Sequence, residues 1–192
     1  MMRRVGSPGV PGCRWAGGSQ ASRPRGFTLI ELLVTLAVLA VLLGIAMPSF
    51  SEFSLSGKLR SYGTNLAASA MLARSEAIKR NVPVRLCVSS DGTSCGTGNW
   101  EQGWIVLTGS TGSGTVLHRQ AAIAGGYVID SKSSGTDVDV VIFQPSGVGS
   151  TPTALRICRA TPSAGSQERV VTISATGRAK VGSTNDGTCS AS

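Results

Sequence analysis

A chain of 192 residues has room for one globular domain beside a membrane helix and not for two large domains. The formal net charge of +8 suggests a polyanionic partner, yet Arg3, Arg4, Arg14, Arg23 and Arg25 all precede residue 27 and no acidic residue does. Taking these five from the eighteen basic residues leaves thirteen against ten acidic ones, a balance of +3 that excludes whole-surface binding to nucleic acid. His118 is the lone histidine, which excludes most histidine-based catalysis and metal binding.

The first informative element in chain order is Arg25-Gly26-Phe27-Thr28-Leu29-Ile30-Glu31, set against an apolar run that reaches Met47 with no charge after Glu31. From Leu29 to Met47 the run covers about 28 Å of helix at about 1.5 Å per residue, long enough for the hydrocarbon core of a bilayer. An ordinary secretory signal has a shorter apolar core followed by its cleavage site. Here the glycine and the arginines come first, so the apolar segment is expected to stay in the mature protein. The arginines predict a cytoplasmic amino terminus, with the bulk of the chain on the opposite side. Glu31 is expensive in such a segment, although the partial positive charge of a helix start favours a carboxylate close to the interface.

This stretch resembles the processing site of type IV prepilins and type II secretion pseudopilins. The resemblance implies that residues 1–26 are a leader, that a prepilin peptidase cuts between Gly26 and Phe27, and that Phe27 becomes the methylated amino terminus. It also implies that Glu31 pairs with the terminal amino group of a neighbouring subunit. A buried charge left unpaired is strongly destabilising, so such a pair rejects a misregistered neighbour during filament assembly. A leader of this length exceeds the usual one of the family, and translation is expected to start downstream of Met1.

Beyond Met47, Pro48 is expected to kink or loosen the helix, with Gly44 one turn earlier adding to the weakness. The helical pattern then resumes: Leu55, Leu59, Tyr62, Leu66, Ala70, Ala73 and Ala77 define one apolar stripe that suits packing onto the chain's own sheet. Asn81-Val82-Pro83 ends it, because the residue before proline avoids the helical region. Short strands are predicted at 84–88, 103–107, 115–119, 127–129, 138–143, 154–158 and 169–174, separated by glycine and serine clusters at 109–114 and 131–135 and by a turn at 144–149. The predicted fold class is α+β. A long amino-terminal helix, transmembrane over 27–48, packs over 49–80 on an antiparallel sheet within a β-rich domain spanning 81–192.

Cys13 lies in the leader, which leaves Cys87, Cys95, Cys158 and Cys189, an even number that suits an oxidising compartment. Four cysteines allow three pairings. The turn-rich segment between Cys87 and Cys95 suits a closed loop, which favours Cys87–Cys95 together with Cys158–Cys189. No C-x-x-C pair exists, so no metal or cofactor is expected.

No catalytic constellation survives inspection. His118, beside Arg119, reads as a surface strand residue, and Asp137 and Asp139 read as solubilising charges on an edge strand. The glycine cluster at 109–114 lacks the Gly-Lys-Ser/Thr ending of a phosphate loop. Ser174 to Val181 is the sharper candidate. A strand starting near Arg178 puts Arg178 and Lys180 on one face about 7 Å apart, comparable to successive phosphates. Gly177-Arg178-Ala179-Lys180 is similar to the Gly-Arg-x-Arg motif of FimT-like minor pilins linked to DNA uptake. Lysine at the last position keeps the charge and loses the arginine fork. Two charges bind weakly, so Arg156, Arg159 and Arg169 or avidity along a filament would have to help.

A second, wider likeness to FimT- and FimU-like minor pilins and to pseudopilin H of type II secretion rests on four features. They are Ala70-Met71-Leu72-Ala73-Arg74-Ser75-Glu76-Ala77, Leu86-Cys87 with Cys95, the Trp100 to Trp104 segment, and Val148-Gly149. Together the resemblances imply a non-enzymatic filament subunit of the inner membrane with its domain in the periplasm. Its partners would be other pilins or pseudopilins, the processing peptidase and methyltransferase, and DNA. The alternative within the same family is a type II secretion pseudopilus subunit.

Overall fold

The computed structural model describes residues 26–109, 111, 114–131, 137–147, 151–160, 167–184, 187 and 189. The expected leader, most of the two glycine and serine clusters, and Val148-Gly149 lie outside these residues. The chain forms two compact units, Met1–Gly44 and Ile45–Ser192. Helix α1 is assigned from Leu29 to Arg80. Residues 46–49 of α1 are without described side chains, and the kink expected at Pro48 falls among them. Among the described residues no helix is long and apolar enough to cross a membrane. The apolar run read from the sequence extends into that undescribed stretch, so only Leu29–Ile45 of it is on view.

The second unit is built around the stripe of α1. Leu59, Leu66, Ala70, Ala73 and Ala77 are fully buried, Leu55 nearly so, and Tyr62 is half-buried. Burying a leucine completely contributes about 1.5–3 kcal/mol, which anchors this part of the helix far more firmly than propensity does. The helix stops at Asn81, whose φ of 54° places it in the left-handed conformation that asparagine tolerates at a helix end. Near that end Glu76 pairs with Lys79 and Arg80. The hydrogen bond from Arg80 is the main cause that holds the Glu76 carboxyl below its ordinary range.

Among the described residues eight strands follow: β1 (Val84–Val88), β2 (Gly103–Thr108), β3 (Val116–Ala121), β4 (Tyr127–Asp130), β5 (Val140–Phe143), β6 (Thr153–Arg159), β7 (Glu168–Ile173) and β8 (Ala179–Thr184). They form two four-stranded sheets, β3-β2-β1-β5 and β4-β6-β7-β8, antiparallel throughout. The long helix on antiparallel strands expected from the sequence is present, with the strands divided between two sheets. Strand twist carries a wide sheet away from one helix, whereas two narrow sheets can both lay an apolar face on it. Val84, Leu86, Val88 and Val141 of the first sheet share one core with Ile129, Leu155, Ile157, Val171 and Ile173 of the second.

The short 3₁₀ turn Trp100–Gln102 works at the join. Trp100 is buried and donates its indole N–H to the Val138 carbonyl at 2.8 Å. Glu101 accepts from the Ile123 amide at its carbonyl and from the Ile129 amide at its carboxylate. Trp104 donates to Ser69 Oγ at 3.0 Å and so ties β2 to α1. These bonds also explain why β5 starts two residues later than expected. The Val138 carbonyl is taken by Trp100 and its N–H donates to Ser131 Oγ at 2.9 Å, which removes Val138 from the ladder.

Candidate functional site

Three regions hold the residues singled out in the sequence. At the amino-terminal end, Gly26, Phe27 and Glu31 are all exposed, Phe27 at 83%. Thr28 caps α1: its Oγ1 accepts the Glu31 backbone N–H at 3.3 Å and its carbonyl accepts that of Leu32 at 3.1 Å. Thr28-Leu29-Ile30-Glu31 therefore has the spacing of a capping box, a signal present in the sequence. The Glu31 carboxylate enters no ion pair among the described residues. It stands at the positive end of a helix, free to meet a cation from outside the chain.

The second region is the loop that a Cys87–Cys95 disulfide closes, with Cα atoms 5.6 Å apart. Asp91 organises it. Its carboxylate accepts from the backbone N–H groups of Thr93 (2.8 Å) and Ser94 (3.0 Å) and from the hydroxyls of Ser89, Thr93 and Ser94. These bonds, the Ser94 N–H foremost, hold the Asp91 carboxyl well below the usual carboxylate range. The other pair is Cys158–Cys189, with Cα atoms 5.9 Å apart. Beside Cys87 on β1, Arg85 is buried in register with Leu107 and Ile142. Burial pushes its pKa down, and among the described residues its Nε and Nη2 have no hydrogen-bond partner.

The third region is the β7–β8 turn. Gly177 has φ +70°, and a Cβ there would lie 2.5 Å from the Gly147 carbonyl oxygen. Only glycine lets this turn and the one after β5 meet so closely. Arg74 of α1 pins the meeting point, donating from Nε to the Gly147 carbonyl at 2.7 Å. Arg178 and Lys180 are exposed, and neither forms an ion pair among the described residues. Arg178 borders a groove of about 420 Å³ lined also by Met71, Arg74, Ser75 and Ile78 of α1. Arg156, Arg159 and Arg169 do not line this groove. Arg156 is held by Asp130 at 2.8 Å, Arg159 is half-buried, and Arg169 reaches Ser56 of the helix. His118 is exposed on β3, as its pattern suggests.

Residues 63–177 match the family model described as type II transport protein GspH, and residues 21–47 match the prokaryotic N-terminal methylation motif. The chain belongs to the GspH family. Two further likenesses cover shorter stretches of the chain. The pilin-like protein PilA1 of Thermus thermophilus is 46% identical over 68 residues, 35% of this chain and 42% of that one. The type IV major pilin protein PilA of Myxococcus xanthus is 46% identical over 46 residues, 24% of this chain and 21% of that one. The chain thus spans less than half the length of these relatives. The crystal structure of the type IV minor pilin FimU of Pseudomonas aeruginosa shares the fold, with a TM-score of 0.50 and 23% identity over 65% of this chain and 92% of that one.

Within this GspH-family fold, sequence reasoning missed Thr28, Arg74, Arg85 and Asp91 as organising residues. The T-x-x-E spacing signals Thr28, and the Ser-Asp-Gly-Thr-Ser turn signals Asp91. Arg74 and Arg85 act through contacts far apart in sequence, which no local pattern carries.

Proposed function

We propose that this chain is a minor pilin or pseudopilin, a non-enzymatic filament subunit anchored in the inner membrane with its β-rich domain in the periplasm. The observation that carries the reading is the capped apolar segment. Large apolar side chains from Leu29 to Ile45 are all half exposed or more, directly behind a helix start whose carboxylate is free. The methylation-motif match over residues 21–47 supports cleavage between Gly26 and Phe27 and methylation of Phe27. Residues 27–80 then act as the assembly helix and 81–192 as the domain it carries. Glu31 receives the terminal amino group of an adjacent subunit, two charges that are costly alone and cancel together.

Glu31→Ala tests this directly. Membrane insertion should stay intact while the fraction recovered in sheared filaments falls; normal incorporation would remove the assembly role of Glu31. The type II secretion pseudopilus is the second reading, favoured by the description of the matching family. Deleting the gene and scoring pilus-dependent motility against release of secreted proteins separates the two. Arg178 and Lys180, exposed and without ion pairs, support a DNA-backbone contact. Retention of DNA in mobility shifts by an Arg178→Ala, Lys180→Ala double variant at wild-type strength would remove that contact.

A further inference from the structure

The side of α1 that faces β7 and β8 carries a second group of cations, apart from the β7–β8 turn. Gly63 marks a close approach of sheet and helix, since a Cβ there would lie 3.2 Å from Val181 Cγ1 and 3.8 Å from Arg169 Cβ. Arg169 runs along the helix, donating from Nη2 to Ser56 Oγ and from Nη1 to the Glu168 carbonyl, both at 2.9 Å. Ser183 is its cross-strand neighbour. On the helix, Thr64 stands one turn beyond Arg60 and donates its hydroxyl to the Arg60 carbonyl at 2.8 Å.

Arg60, Thr64, Arg169 and Ser183, with Val181 and Gly182, line an open cleft of about 440 Å³. Among the described residues no carboxylate lines it, and neither arginine forms an ion pair. A planar carboxylate is satisfied by one guanidinium fork lying in its plane. Guanidinium groups on two walls, one of them anchored, with the Ser183 hydroxyl as a further donor on the sheet wall, instead match the oxygens of a tetrahedral anion.

We propose that this cleft binds a phosphate-type oxyanion. A lipid headgroup and a free phosphate share that chemistry, and position favours the free ion. From Met47 to Arg60, α1 climbs about 20 Å at about 1.5 Å per residue, beyond the roughly 5–8 Å of headgroup region on each side of the hydrocarbon core. The choice of source rests on the membrane placement proposed above, whereas the cleft does not.

The test uses the full chain in phosphatidylcholine nanodiscs, titrated by calorimetry with inorganic phosphate against sodium chloride of matched ionic strength. Saturable binding is expected, weakened about tenfold in Arg60→Gln, the loss of one charge-assisted hydrogen bond. Arg60 is exposed and its guanidinium holds no bond of the fold, so this variant should keep its structure. Absent binding, or equal binding by Arg60→Gln, overturns the site. Phosphatidylglycerol nanodiscs separate the sources: unchanged phosphate affinity supports the free ion, and loss of phosphate binding to competing headgroups overturns that choice. Because Glu31→Ala reads assembly and these titrations read the cleft, either proposal can fail while the other stands.

Discussion

Two stretches of α1 use apolar residues in opposite ways. From Leu29 to Ile45 every large apolar side chain is at least half exposed, from 50% at Leu39 to 76% at Leu29, and the apolar character runs all round the helix. From Leu55 to Ala77 one apolar stripe is buried under two sheets of the same chain, and Met71, off the stripe, is exposed. A helix that is apolar on every side has no face to give its own domain and needs a continuous apolar surround. A striped helix needs only one partner and finds it locally. The difference teaches that the second unit stabilises itself, while the first depends on a bilayer or a bundle of neighbouring helices.

The largest effect should come from breaking that division with matched truncations. Leu66→Ala should lower the stability of the processed chain by about 2–5 kcal/mol, because Leu66 is fully enclosed. Leu39→Ala should leave it within about 0.5 kcal/mol, the usual range for side chains outside a packed core. Urea unfolding in detergent, followed by the fluorescence of buried Trp100 and Trp104, measures both. Similar losses in the two variants would mean that the stretches are not energetically separate.

The disulfides sharpen the same contrast with a slightly smaller effect, since the apolar stretch contains no cysteine and the domain contains both bridges. Chain-entropy arguments scale with loop length, and the separations are 31 residues for Cys158–Cys189 and 8 for Cys87–Cys95. Paired serine substitutions should therefore destabilise by about 3.7 and about 2.5 kcal/mol respectively. Equal losses would show that strain or residual structure in the unfolded chain outweighs loop length. Reduction should lower the unfolding midpoint of the domain and leave the helical circular dichroism of the micelle-bound segment in place.

How much of this was legible in the sequence follows from the range of the interactions involved. The stripe from Leu55 to Ala77 and the strand positions depend on local periodicity, and they lie within a residue or two of where the pattern puts them. The two-residue delay of β5 has a non-local cause, because Val138 is drawn off the ladder by Trp100, 38 residues away. The division into two sheets is equally non-local: each strand reads alike whether its sheet ends after four strands or continues. At the candidate sites, Gly26, Phe27 and Glu31 lie close together in the chain and were readable as a motif. Where Arg156 and Arg169 are held is not legible in the sequence, for a physical reason. Alternation assigns a residue to a face but cannot say that Asp130 or Ser56 already holds the guanidinium.

The smallest expected effect concerns pH and lies wholly within the self-stabilised unit. Asp91 gains its hydrogen bonds on folding, so its folded pKa is depressed relative to an unfolded value of about 3.9. Above that value both states are ionised and its stabilisation is complete. As pH falls below about 4 the unfolded chain takes up the proton first, and stability declines toward the depressed folded pKa. Asp91→Asn keeps one acceptor oxygen and has no charge to titrate, so it should be modestly less stable at pH 7 and lose less on acidification. The gap between wild type and variant should narrow between about pH 5 and pH 2 in matched thermal melts. A gap that stays constant over that interval would mean that the loop draws its stability from the Cys87–Cys95 bridge and not from the Asp91 charge.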